Sequence, residues 1–265
     1  MRRADYPPQE PLSEAGQAYD AECWRRSDGV AYEEFSFGPD PYQKLNLFRP
    51  ATPDGRCLLF WHGGGWTSGY KEWFGFMAPA FNAAGVTFVS AGYRLAPQHV
   101  FPAGMDDCLS ALDWVSSNLK GKIFIGGHSA GGHYAALIAA RGGGKRIKGC
   151  LPLSGVFEFG EGSGLSARPR FLGPDPAADR LASPRYQLAA PLPPFLVAYG
   201  TQDFPHLILQ AERFVAAVRT AGGEAQALPM EGRTHFTASY AGGEADGPWV
   251  PAALRLMERL SGSGA

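Results

Sequence analysis

The sequence predicts an α/β fold, a mainly parallel twisted sheet of about eight strands with helices on both faces. Two observations carry that expectation. Short runs that are apolar on both sides of the strand alternation recur along the chain, as central parallel strands require, and segments of helical periodicity lie between them. Gly127-His128-Ser129-Ala130-Gly131 also stands between an apolar run and a stretch of small residues, which is the order strand, tight turn, helix.

The first two strand candidates, 32–37 and 42–48, read as an antiparallel pair around Gly38-Pro39-Asp40-Pro41. The later candidates are 57–61, 86–90, 122–125, 147–153, 195–199 and 224–228. Between them, 103–119 places Cys108, Leu112, Val115 and Leu119 on one helical face, and Leu207, Ala211, Phe214, Val215 and Val218 mark another helix. A chain of 265 residues suits one such domain. The stretches 1–28 and 160–186 fit the plan badly and read as covers over a site, against the alternative of surface loops without a role.

With 24 basic and 25 acidic residues, the chain has no field for capturing nucleic acid or an anionic membrane. Apolar residues at 45% and charged ones at 18% favour a packed core over disorder. Cys23, Cys57, Cys108 and Cys150 are scattered, with no C-x-x-C pair, and Met1 leads into no apolar signal region; the expectation is a cytoplasmic protein with reduced thiols. A homodimer stays open. The absence of an H-E-x-x-H pattern or a Cys/His cluster leads us to expect no metal and no cofactor.

The turn at 127–131 is a candidate nucleophile elbow, with Ser129 as nucleophile. A serine needs a base, and the base an orienting acid. His235, just beyond the last strand candidate, and Asp203, directly after 195–199, follow Ser129 in the chain order serine, acid, histidine. His206 is a rival base whose place at a helix start suits capping, and Glu231 is a rival acid in the same loop as the histidine it would orient. His128 and His133 flank the nucleophile and are expected to pack or hydrogen-bond locally. Gly63, Gly64 and Gly65, after the strand at 57–61, would bring main-chain N–H groups to an oxyanion together with the N–H of Ala130. Trp66, Tyr70, Phe157 and Phe204, beside loops leaving the carboxyl edge of the sheet, are candidate walls for an aromatic small-molecule substrate. Trp73 and Phe159 occupy similar loops, and Arg168, Arg170 and Arg185 are candidate contacts for a substrate carboxylate, although a solvated surface arginine is the more ordinary state.

These motifs resemble the α/β-hydrolase superfamily. His62-Gly63-Gly64-Gly65 and the run from Gly92-Tyr93-Arg94-Leu95-Ala96-Pro97 through Phe101-Pro102-Ala103-Gly104-Met105-Asp106-Asp107 resemble the hormone-sensitive-lipase-like esterases. Trp66-Thr67-Ser68-Gly69-Tyr70-Lys71, a histidine rather than an aspartate before Ser129, Leu153-Ser154-Gly155-Val156-Phe157-Glu158 and Gly200-Thr201-Gln202-Asp203 resemble the kynurenine formamidases, or arylformamidases. The chain departs from both branches: it has a third glycine where many arylformamidases carry a larger residue, and it lacks the Asp-Pro-Leu context of the lipase-like acid. The resemblance implies a Ser-His-Asp acyl-enzyme mechanism. The first expectation is cleavage of an N-formylkynurenine-type aryl formamide, the alternative a carboxylesterase of short-chain or aryl esters, and the third a non-catalytic binding module on the same fold.

Overall fold

Alternation along the strands explains the layers. In β3 (Arg56–Trp61), Cys57, Leu59 and Trp61 belong to one hydrophobic cluster and Leu58 and Phe60 to another, so both faces of the strand are covered. The computed structural model, which describes residues 1–160, 163–165 and 167–262, builds an eight-stranded sheet in the order β1-β2-β4-β3-β5-β6-β7-β8. Its members are β1 (Glu33–Ser36), β2 (Lys44–Phe48), β3, β4 (Thr87–Ala91), β5 (Lys122–His128), β6 (Gly149–Leu153), β7 (Phe195–Gln202) and β8 (Ala225–Thr234). β1 and β2 are antiparallel, β2 is antiparallel to β4, and the others run parallel. Each of the eight expected strands is present.

One face packs against α3 (Ala103–Asn118), α4 (Ala130–Ala140) and α7 (Pro205–Thr220), with Leu112, Val115, Leu137 and Phe214 among the buried residues. The other face meets α1 (Glu14–Ser27), α2 (Ala78–Ala83) and α9 (Trp249–Gly262). The sequence reading missed α9, although Trp249, Val250, Ala253 and Met257 form its buried stripe at helical spacing. Among the described residues no helix is long and apolar enough to cross a membrane, and the four cysteines are buried and unpaired.

Neither stretch that resisted the strand and helix plan is a bare loop. The first contains α1, whose N-cap Ser13 accepts the Gly16 N–H at 3.2 Å. The second contains α5 (Arg168–Leu172) and α6 (Ala177–Ala182), while its positions 161, 162 and 166 lie outside the described residues. β7 and β8 carry the site: their register pairs Gln202 with Thr234, so the next residues, Asp203 and His235, emerge side by side. α8 (His235–Tyr240) begins at that histidine.

Candidate active site

Ser129 links β5 to α4 with φ 54° and ψ −116°, a backbone conformation that non-glycine residues rarely adopt. The turn is tight enough to dictate its neighbours. A Cβ on Gly131 would fall on the carbonyls of Trp61 and His62, and one on Gly127 would fall on the backbone of Gly131. Gly131→Ala is therefore expected to destabilise the fold by about 1–3 kcal/mol through overpacking. Thermal melting checks this, and an unchanged melting temperature would contradict it.

The three chemical groups meet. Ser129 Oγ lies 3.0 Å from His235 Nε2, and His235 Nδ1 lies 2.9 Å from Asp203 Oδ1. A carboxylate can only accept, so Nδ1 carries the proton and Nε2 turns its lone pair to the serine hydroxyl. Asp203 Oδ1 also accepts the Phe204 N–H at 2.7 Å. Burial alone would raise the Asp203 carboxyl, but the hydrogen bond and charge of His235, helped by the Ser154 hydroxyl and the Phe204 N–H, bring it below its ordinary value.

Neither rival is hydrogen-bonded to Ser129 or His235. His206, the second residue of α7, stacks on Phe204 at 5.8 Å, and Glu231 is exposed on β8. His128 and His133 do bond locally, as expected. His128 Nε2–H donates to the His235 carbonyl at 2.9 Å. His133 Nε2–H donates to the Ala182 carbonyl at 2.7 Å, and its Nδ1 accepts the Trp66 indole N–H at 3.1 Å. Burial pushes both imidazoles down to about 3 and that of His62 to about 4, so all three are neutral near neutral pH.

The glycine loop is fixed from behind. His62 Nδ1–H and the Tyr93 hydroxyl donate to the Gly63 carbonyl at 2.7 and 3.3 Å, and the Gly64 carbonyl accepts from the N–H groups of Thr67 and Ser68. Because C=O and N–H oppose each other across a trans peptide, the amides of Gly64 and Gly65 are turned away from those donors. Gly63 itself lies against Ser129, its would-be Cβ 3.2 Å from that of the serine. Ala130 is the first residue of α4, where N–H groups have no partner within the helix.

A cavity of about 440 Å³ opens over Ser129 and His235, lined by Gly64, Gly65, Trp66 and Phe204. Trp73 lines it as well, whereas Tyr70, Phe157 and Phe159 do not; Phe159 is buried against Trp66 and Phe171. Phe157 is fully buried and stacks on Phe214 with ring centroids 4.5 Å apart, and Tyr70 packs between Tyr6 and Trp24. Both serve the core, where most aromatics belong. In their place Tyr19 from α1 and Phe236 line the cavity. Of the three arginines, Arg168 pairs with Asp179, Arg185 with Glu158 and Arg170 with Glu10; only Arg170 among them lines the cavity, and its 2.6 Å pair joins the stretch 1–28 to the stretch 160–186. Among the described residues no group of three or more His, Cys, Asp or Glu side chains is placed to hold a metal.

Residues 58–239 match a family model described as alpha/beta hydrolase fold. The chain is 28% identical over 218 residues to the esterase LipC of Mycobacterium tuberculosis, covering 69% of this chain and 54% of that one. It is 39% identical over 89 residues to the carboxylesterase NlhH of the same species, covering 31% of this chain and 28% of that one. The chain thus spans about half or less of the length of these two relatives. A solved esterase of the archaeon Pyrobaculum calidifontis superposes with a TM-score of 0.76 at 21% identity, covering 92% of this chain and 91% of that one. Esterase 2 of Thermogutta terrifontis, solved after phosphoramylation by tabun, gives a TM-score of 0.65 at 26% identity, with 77% and 84% covered.

Proposed function

The chain belongs to the alpha/beta hydrolase fold family, and from that premise we propose that it is a serine carboxylesterase acting on esters with a small acyl group. The observation that carries this reading is the chain of contacts from Ser129 Oγ through His235 to Asp203 at the carboxyl edge of the sheet. Ser129 attacks the ester carbonyl as His235 takes its proton, and Asp203 holds the imidazole in the accepting tautomer and stabilises the imidazolium. The amides of Gly64, Gly65 and Ala130 receive the oxyanion. His235 then protonates the departing alcohol, and water, activated by the same histidine, releases the acid from the acyl-enzyme.

The esterase names of the relatives support this reading over the arylformamidase that the sequence first suggested. Aryl formamides remain the second reading, favoured by the run from Trp66 to Lys71 and by the aromatic walls Tyr19, Trp66, Trp73 and Phe204. The same steps serve both, since an aniline leaves more readily than an alkyl amine. Side-by-side kinetics on p-nitrophenyl acetate, a non-activated aryl acetate and N-formylkynurenine decide between them. The expected result is a higher kcat/KM on both esters; a preference for the formamide would reverse the order of the two readings.

A further inference from the structure

The nucleophile elbow holds a histidine that the proposed reaction does not use. His128 is 1% exposed, and its Nε2–H donates to the backbone carbonyl of His235 at 2.9 Å. Its other nitrogen, Nδ1, therefore carries a lone pair, and that lone pair faces the Tyr19 hydroxyl at 3.3 Å. Tyr19 comes from α1, far from either residue in sequence. With its one hydrogen given to Nδ1, the same hydroxyl accepts from Ser239 Oγ at 3.0 Å, and the Ser239 hydrogen is shared with the Phe236 carbonyl at 2.7 Å. The Tyr19 ring packs against Phe236 and Tyr240, with centroids 4.9 and 5.8 Å away.

Each link reaches the same short segment. His235, Phe236, Ser239 and Tyr240 all belong to α8, a helix of six residues that starts at the base itself. So short a helix has few internal hydrogen bonds to hold its first residue in place. Packing alone does not explain the polar atoms, because a phenylalanine at position 19 would fill the same space without burying a hydroxyl that needs partners.

We propose that Tyr19 and His128 form a hydrogen-bonded brace that sets the position of His235 between Ser129 and Asp203, making the first cover helix a working part of the catalytic apparatus. Both are positioning residues: they act through the backbone of the base and through α8. The brace stays uncharged, since the Tyr19 hydroxyl and the His128 imidazole are both neutral, and so it adds no repulsion when His235 takes up its proton. The inference rests on the hydrolase reading given above.

The test uses Tyr19→Phe, His128→Phe and His128→Gln in the full chain, assayed on p-nitrophenyl acetate. A glutamine amide at position 128 can still donate to the His235 carbonyl. Tyr19→Phe and His128→Phe are expected to lower kcat about tenfold or more with KM within about twofold, and His128→Gln to recover most of the loss. In the proton NMR spectrum, the Nδ1–H resonance of His235 is expected to broaden in Tyr19→Phe, because the base samples a wider range of positions against Asp203. Should His128→Phe fail to fold, Tyr19→Phe and His128→Gln carry the test. Wild-type turnover matched by Tyr19→Phe, with an unchanged Nδ1–H resonance, overturns the brace alone. No turnover by the wild type overturns the hydrolase reading and the brace with it.

Discussion

Ser129→Ala is expected to abolish turnover of an activated ester, lowering kcat by about 10⁴-fold or more, with His235→Ala close behind because the two act as one unit. The oxygen of Ser129 is the proposed attacking atom, and a methyl group in its place leaves the cavity, the glycine loop and the fold as they were. Asp203→Asn is expected to lower the rate by about 10⁴-fold through a different cause, since an amide can donate to Nδ1 and so favour the tautomer that cannot accept from serine. Labelling by an aryl phosphonate gives a second readout, a mass increment on the wild type that Ser129→Ala loses. A wild-type rate in either Ser129→Ala or Asp203→Asn would require another nucleophile or another acid.

Acid is expected to unfold the protein steeply, and the buried histidines set the direction. His62, His128 and His133 lie at about 4, 3 and 3 in the folded chain, depressed by burial, against about 6.5 for an unfolded histidine. Below about pH 6.5 the unfolded chain takes up protons that the native chain refuses, so stability is full above that value and falls as pH drops. Three such sites give a slope approaching about 4 kcal/mol per pH unit and together remove on the order of 10 kcal/mol on the way to pH 3, comparable to an ordinary domain stability of about 5–15 kcal/mol. The loss levels off only below the folded values. Asp203, whose carboxyl is held below its ordinary 3.8, adds a further loss below that pH. Urea midpoints measured between pH 7.5 and 4.5 check this, and a flat midpoint across that range would show that the three imidazoles titrate normally.

Much of this was legible in the sequence because it depends on local order. A central strand declares itself by being apolar on both faces, and each of the eight candidates lies on a real strand. The boundaries were poorer where strands run past their apolar core: β8 extends to Thr234 through exposed Glu231 and Gly232, which no hydropathy pattern marks. The pairing of Ser129 with His235 and Asp203 followed from chain order, since loops at one edge of a parallel sheet must converge. Which aromatics face the cavity did not follow. Tyr70 and Phe157 sit in the expected loops but pack against the core, and Tyr19 reaches the cavity from the stretch 1–28, which the sequence marked as a cover without showing which of its side chains would line the site. The stripe of α9 is carried by Trp249, Val250, Ala253 and Met257 at helical spacing, with no strand or motif after it to mark its end.

The ion pair between Glu10 and Arg170 ties together two segments that share no strand, and both partners are in partial contact with solvent. A bond so placed is worth under about 1 kcal/mol, little more than thermal energy. Two residues that line the cavity from distant stretches of the chain are thus joined by a contact that costs little to break. Raised salt is expected to weaken that contact by screening, which a salt titration of an ester's KM would register.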